Sequence, residues 1–447
     1  MKGQTASAKI SIQVIGLILL ISPILPPSAV QGENWPRFRG PNGQGISHAT
    51  TIPAKWIQDD YNWKITLPGT GYSSPVVWDD VVFITCSEQE KAKARLMALS
   101  VSDGKILWEK EFSFTPYRMN RINSFAASTP SADADHIYAL WPTADTTLLL
   151  AFDHKGNEIW KRTFPGVKSQ HGPCTSPVVL GDIVVFTHEN ESTTDPDAPS
   201  FWIALDRKTG KDLWQLPRQT GPKISYSTPC VFPSADNPQV LVFTSFSHGV
   251  SGVNPRTGKV VWEAGSAFNS RVVSSPVIAD GLVLGACGDG SAGKHIIALK
   301  PTEEAKPIEA YKITDSAASY VPTPLAADGL LFTCHDRGQI SCLQAATGEL
   351  LWQEKPAGRY YGSPVWVSGR LYVITTDGEV VVVNAAPKYE LLAVNPLGEG
   401  SQATPAVANG RMYLRTDSHL ISIGAAPPDS PELKEHTRPQ NQTEARP

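Results

Sequence analysis

The chain has 447 residues, a net charge of −4 and a pI near 6.2, so it carries no overall basic field to hold nucleic acid or anionic lipid. Charged residues make up 18%, against about a quarter in average domains, while 35 Gly and 37 Pro supply many turns. Such a length suits two or three average domains or one large repeat fold, and the composition favours an all-β one.

At the N-terminus, Lys2 and Lys9 accompany an apolar run from Ile10 to Leu25, and small residues follow. Val30 and Gly32 fit the −3 and −1 positions of a cleavage site before Glu33. The run is short for a membrane span and contains Pro. Residues 1–32 are therefore expected to be a cleaved signal peptide, giving a periplasmic or secreted protein with no transmembrane helix in the mature chain. Residues 33–60 contain "NWPRFRGPNGQG", a mix of Trp, Arg, Pro and Gly that predicts an ordered extension packed over one end of the next domain.

From residue 61 onward the chain repeats. Ser/Thr-Pro followed by apolar residues recurs at Pro75, Pro130, Pro177, Pro229, Pro276, Pro324, Pro364 and Pro405, in steps of 55, 47, 52, 47, 48, 40 and 41 residues. A polar turn then leads to a β-rich run such as "VVFITC" or "LYVITT". A variable loop leads to a strand ending in Ala-Leu or similar, and a further turn leads to a last strand carrying Trp. This order predicts four strands per unit, and no segment keeps a 3.6-residue period. Four-stranded units of this length match propeller blades, so eight markers predict an all-β, eight-bladed β-propeller over residues 61–424. The eighth unit lacks its fourth strand, whereas "YNWKITLPG" (Tyr61 to Gly69) has a Trp and no blade before it. That N-terminal strand is expected to complete the last blade and close the ring, removing two open sheet edges. Residues 425–447 are Pro-rich and polar, the composition of a disordered tail.

The stretch "ALDRKTGKDLW" (Ala204 to Trp214) has near copies ending at Trp108, Trp262 and Trp352. Its Gly supplies a positive φ in the turn, and the ring that follows is expected to enter the seam between neighbouring blades. The series comprises Trp63, Trp108, Trp160, Trp214, Trp262 and Trp352, with Tyr311 and Leu392 as degenerate members. One ring per blade is the signature of a structural residue rather than a ligand-stacking one.

Ala-x-Asp-x-x-Thr-Gly-Lys-x-x-Trp resembles the tryptophan-docking motif of the quinoprotein (PQQ-like) eight-bladed propellers, over nearly all of residues 61–424. "WPRFRGPNGQGIS" and "NWKITLPGTGYSSPVV" are similar to secreted PQQ-binding-like repeat proteins of planctomycete bacteria, often labelled outer-membrane assembly-type propellers. The resemblance implies the fold and leaves two functional extremes. Quinoprotein dehydrogenases hold PQQ and Ca²⁺ in the central funnel, with a disulfide between adjacent Cys over the quinone and acidic and amide ligands on the metal. Here the six Cys (Cys86, Cys174, Cys230, Cys287, Cys334 and Cys342) include no adjacent pair and no CxxC. They are expected to be mostly buried, and strand register decides whether Cys334 and Cys342 meet across a hairpin. No motif places a catalytic Asp or metal ligands. The other extreme, the BamB-type scaffold, holds no cofactor and offers loops to partners; the chain matches its size and export but lacks its lipobox Cys.

In a propeller, the loops entering each first strand and those joining the second and third strands crowd one mouth of the channel. The entry loops carry Tyr72, Arg118, Arg121, Asn123, His171, Tyr226, Arg271, Tyr320, Arg359, Tyr360 and Tyr361, and the second set carries His188, Glu189, Asn190, Asp289, His335, Asp336, Asp377 and Asp417. Aromatics and Arg converging on a concavity suit a small-molecule or peptide site, whereas the Asp residues are expected to shape hairpin turns. "GDGSAGKH" (Gly288 to His295) nearly spells a P-loop, but it ends in His and joins two strands. "HENESTTDPDAPS" (His188 to Ser200) is acidic without EF-hand spacing and is expected to be a solvated loop. The expectation is an exported, monomeric, non-catalytic scaffold that binds an envelope protein or a small molecule at the channel mouth, with no catalytic residue, metal or cofactor assigned. The alternative is a PQQ-dependent oxidoreductase with an atypical site, and a polysaccharide-binding or lyase-like module is a third class.

Overall fold

The computed structural model describes residues 33–424 apart from 121, 234–238, 291, 303 and 315. The segments expected to be a signal peptide and a disordered tail, and Arg121, lie outside the described residues. Regular structure is almost entirely strand, with two short 3₁₀ turns at Pro41–Gly43 and Gln58–Asp60. The strands form eight sheets, each built on four antiparallel strands. Blade 1 contains Val76–Trp78, Val81–Glu88, Lys93–Ser100 and Ile106–Ser113, hydrogen-bonded in that order. Blade 8 contains Ala406–Ala408, Arg411–Arg415 and His419–Gly424, and its fourth strand is Tyr61–Thr66, with Trp63 opposite Ser422. The N-terminal strand thus closes an eight-bladed propeller, as the repeat count predicts.

The Ser/Thr of each Ser/Thr-Pro marker lies at the entry of a first strand, and in six of the eight blades its N–H donates to the marker hydroxyl of the next blade. The Ser74 N–H donates to Thr129 Oγ1 (2.9 Å), Thr129 to Ser176 Oγ (3.0 Å) and Thr228 to Ser275 Oγ (3.0 Å). Ser275 donates to Thr323 Oγ1 (3.0 Å), Thr323 to Ser363 Oγ (3.0 Å) and Ser363 to Thr404 Oγ1 (2.9 Å). These bonds run round the channel, and the Pro that follows each has no N–H to satisfy.

The docking rings join the blades farther out. Trp160 donates from Nε1 to the Arg207 carbonyl in the next blade's turn (2.9 Å), and its ring covers Gly210, where a Cβ would lie 2.7 Å from the indole. Gly210 also has φ +68°, so the turn needs glycine both for its backbone and for the ring above it. Trp63, Trp108, Trp214 and Trp352 donate in the same way to Val101, His154, Pro255 and Ala386. Tyr311 substitutes its hydroxyl, which donates to Ala345 (2.6 Å), and Trp262 is buried opposite Gly252. The eighth position differs from expectation. Each docking residue pairs with the third-strand residue just before a bulge, as Trp214 does with Ala204. In blade 7 that partner, Val382, faces Ala393, not Leu392.

The chain fills this seam from its other end. Asn395, two residues along the same strand face from Ala393, accepts from the Trp56 N–H (3.0 Å) and donates to the Ala54 carbonyl (2.9 Å). Trp56 and Ile52 are buried in a cluster with Val382, Met412, Tyr413 and Ile423, against which Ala393 packs. Residues 33–60 also cross the ring. Trp35 pairs with Val77, and Ala132, Val231 and Trp366 donate their N–H groups to Pro36, Asn42 and Gly45. Ile46–Ser47 adds a parallel strand to the first strand of blade 7, an augmentation absent from the repeat pattern.

All six cysteines are free, and Cys334 pairs with Ile340 while Cys342 pairs with Phe332, so register keeps them apart. "GDGSAGKH" is a hairpin between Leu282–Asp289 and Ala292–Lys300, with no helix to receive a phosphate. Among the described residues no helix is long and apolar enough to cross a membrane.

Candidate functional site

The first strands all run in one direction about the channel, so their entry loops share one end and the extension covers the other. At the covered end, Arg37 donates to the Pro229 carbonyl (2.6 Å), and Arg39 donates to the carbonyls of Thr323 (2.7 Å) and Pro324 (2.9 Å). Phe38, between them, forms the base of a cavity of about 160 Å³. Its wall has two layers, the first with a residue from every blade but the first and the second with one from each of the eight. The ring hydroxyls form the first. The second stands two residues earlier, on the same face of the extended chain, and comprises Tyr72, Ala127, Cys174, Tyr226, Val273, Val321, Tyr361 and Gln402. None of the lining side chains is charged.

Above this cup the entry loops and the second-to-third-strand hairpins of blades 3 to 6 build a charged cluster. Arg271 pairs with Glu191 (3.2 Å), and both are nearly fully buried. The Glu191 carboxylate also accepts from the N–H groups of Gln170 (2.5 Å) and Ile224 (3.4 Å). Lys223 pairs with Asp289, which lies 3.9 Å from Arg271. His171 takes a bond from the Asn120 amide at Nδ1 (2.7 Å); its burial and the nearby Arg271 guanidinium push its pKa down. Tyr320 lies beside Arg271, with Lys294 Nζ 6.0 Å from its ring centroid, and Lys294 pairs with Asp336.

The predicted site residues therefore separate into groups. His171, Arg271 and Tyr320 come together at the mouth, joined by Tyr226, which also lines the cup with Tyr72 and Tyr361. Arg359 is exposed in a cleft between Arg337, Lys355 and Asp377. Tyr360 and His188 lie in the core. Tyr360 is wholly buried, because alternation sends it into the blade while Tyr361 faces the channel. His188 stacks on Phe201 at 4.5 Å, and burial lowers its pKa to about 4.

Reading the His188 to Ser200 excursion as a solvated loop is corrected for its first residues. Glu189 accepts from Trp202 Nε1 (2.9 Å), Asn190 and Glu191 are buried, and Glu191 is the counter-charge of Arg271. Asp289 and Asp336, expected only to shape turns, are ion-pair partners. Glu191, Lys223, Lys294, Phe38 and most of the second layer are absent from the sequence-based site. The second layer has a usable signal, the position two residues before each marker hydroxyl. Farther out, Asp133, Asp135 and His136 cluster closely enough to hold a cation, but Arg207 already bonds both carboxylates (2.9 Å each).

Fold and channel together define an eight-bladed propeller with one end of its channel closed. A family model described as the outer membrane protein assembly factor BamB matches residues 92–354 and 336–426, and the chain belongs to this BamB-like PQQ-repeat family. None of the curated proteins matches it significantly by sequence. Among solved structures it resembles a europium-containing methanol dehydrogenase (11% identity, TM-score 0.62, covering 88% of this chain and 98% of that one). It also resembles a quinohemoprotein alcohol dehydrogenase from Comamonas testosteroni (13%, 0.64, 89% and 82%) and BamB from Moraxella catarrhalis (14%, 0.54, 80% and 95%). At these identities the likeness shows the fold alone.

Proposed function

We propose that the protein is an exported, non-catalytic scaffold that binds an envelope protein at the channel mouth, in the manner of an assembly factor. The observation that carries this reading is the contrast between a covered channel end and a mouth where His171, Tyr320 and the Arg271–Glu191 and Lys223–Asp289 pairs converge. Charged and aromatic groups around a concavity suit a protein surface that needs register as well as contact area. The apolar N-terminal run supports export.

The alternative, a PQQ-dependent oxidoreductase, asks the channel to hold a quinone and a metal ion. The lining offers the amides of Asn123 and Gln402 but no carboxylate, and no adjacent Cys pair exists to cover a quinone. The cavity volume is near that of an engineered cavity that accepts benzene, about 150 Å³, small for a ring-fused quinone with its metal. The residues present do not fit that pair.

Two measurements test the scaffold reading. Immobilised protein is expected to capture the same envelope protein repeatedly, and Lys223→Glu to lose it while the melting temperature holds. Protein incubated with PQQ and Ca²⁺, then desalted, is expected to retain no quinone absorbance and to reduce no dye with alcohols or sugars. Retained cofactor with turnover overturns the reading.

A further inference from the structure

Three arginines press against the channel wall, and among the described residues no carboxylate bonds to any of them. Arg37 and Arg39 are held by main-chain carbonyls. Arg415 donates to the Ser73 carbonyl (3.1 Å), the Ser73 hydroxyl (2.6 Å) and the Thr85 carbonyl (2.8 Å), with Asp417 in electrostatic range. Their exposures are 5%, 0% and 0%, and the Nε donors of Arg37 and Arg415 are buried without an acceptor. A buried charge without a bonded counter-charge is costly. Burial accordingly lowers Arg37 to about 10 and Arg39 to about 9, values that leave both protonated at neutral pH.

Each arginine holds a residue of the hydroxyl ring or its neighbour: Thr323 for Arg39, Pro229 beside Thr228 for Arg37, and Ser73 beside Ser74 for Arg415. With Arg271 beside Tyr226, four arginines therefore surround the uncharged cup against two carboxylates, Asp417 near Tyr72 and Glu191 near Tyr226, a shell of net positive charge. Such a shell repels a divalent cation and attracts an anion. The ring adds donors. The oxygens of Thr129, Ser176, Ser275, Thr323, Ser363 and Thr404 already accept main-chain N–H groups, so each hydroxyl proton is available to an acceptor in the channel. The size admits about one six-membered ring, and Phe38, Tyr72, Tyr226 and Tyr361 supply aromatic wall.

We propose that the cup binds a small monocyclic carboxylate, its ring among the aromatic side chains and its negative charge answering the arginine shell. This site is separate from partner binding at the mouth, so either can fail without the other.

Cys174 reports occupancy, because it lines the cup and is half-buried where the other five cysteines are fully buried. Burial raises its thiol to about 12, so labelling with methyl methanethiosulfonate is followed by intact mass at pH 8.5. Millimolar benzoate is expected to slow the modification at least tenfold, benzamide and CaCl₂ to leave it unchanged. Ala127→Phe, which fills the cup, is expected to abolish benzoate binding in calorimetry while keeping the melting temperature. Arg37→Met is expected to weaken benzoate at least tenfold where it folds. Equal protection by benzamide overturns the proposal, as does protection by CaCl₂, undiminished benzoate binding to folded Ala127→Phe or Arg37→Met, or no benzoate binding to the intact protein.

Discussion

At the covered end of the channel, a segment of chain outside the repeat reaches blades 1, 2, 4, 6 and 7 through bonds in which at least one partner is main chain. At the mouth, main-chain bonds between neighbouring loops are supplemented by side-chain ion pairs, with Arg271–Glu191 at the centre. Main-chain bonds from one continuous segment leave that end little freedom to change partners. Pairs such as Lys223–Asp289, partly exposed on both sides, can be exchanged for a partner's charges at little cost. The contrast places the structural work at one end and the proposed recognition at the other.

The contrast breaks most directly if the segment is dispensable. Deleting residues 33–57 is expected to cost more stability than any single substitution, because it removes the channel base and the filling of the blade 7–8 seam together; urea denaturation of the deletion and the full chain measures this. Trp56→Ala and Trp160→Ala come next, each expected to cost about 3–5 kcal/mol. Near-equal losses would show that the extension replaces a docking ring, whereas a loss below about 1 kcal/mol at Trp56 would remove that equivalence.

His188, below the mouth, sharpens the comparison through pH. Its folded pKa is depressed, so its neutral form contributes stability that is complete above the unfolded value near 6.5 and is lost as pH falls toward about 4. The loss is expected to reach about 3 kcal/mol, and His188→Leu is expected to flatten that limb of the stability–pH curve. Gly210→Ala should cost about 1–3 kcal/mol, from its φ of +68° and the indole 2.7 Å from the new Cβ. In a Trp160→Ala background the steric share disappears, which a double-mutant cycle reads. The smallest effect belongs to the mouth: Lys223→Glu should alter stability by less than about 1 kcal/mol while removing partner capture.

Blade number, strand order and ring closure are legible in the sequence because each rests on a local pattern repeated eight times. The Trp series is legible for the same reason, and its weakest member, Leu392, is misplaced by one residue because only the bulge register picks out Ala393. The mouth is legible in part. Arg271 and Tyr320 stand out as residues that no turn needs, but Glu191 hides in an acidic run that looks solvated until a distant Arg buries it. The extension's contacts with blades 4 and 6 span 189 to 285 residues of chain, and no local pattern reports contacts of that range.

Hydrogen exchange puts the sealed end to the most direct test. The amides of Val77, Ala132, Val231 and Trp366 lie at the covered end on four different blades and donate to the extension. In the intact protein they are expected to exchange over hours, as slowly as the blade interiors. Exchange of all four within seconds at neutral pH would mean that the extension does not hold that end closed.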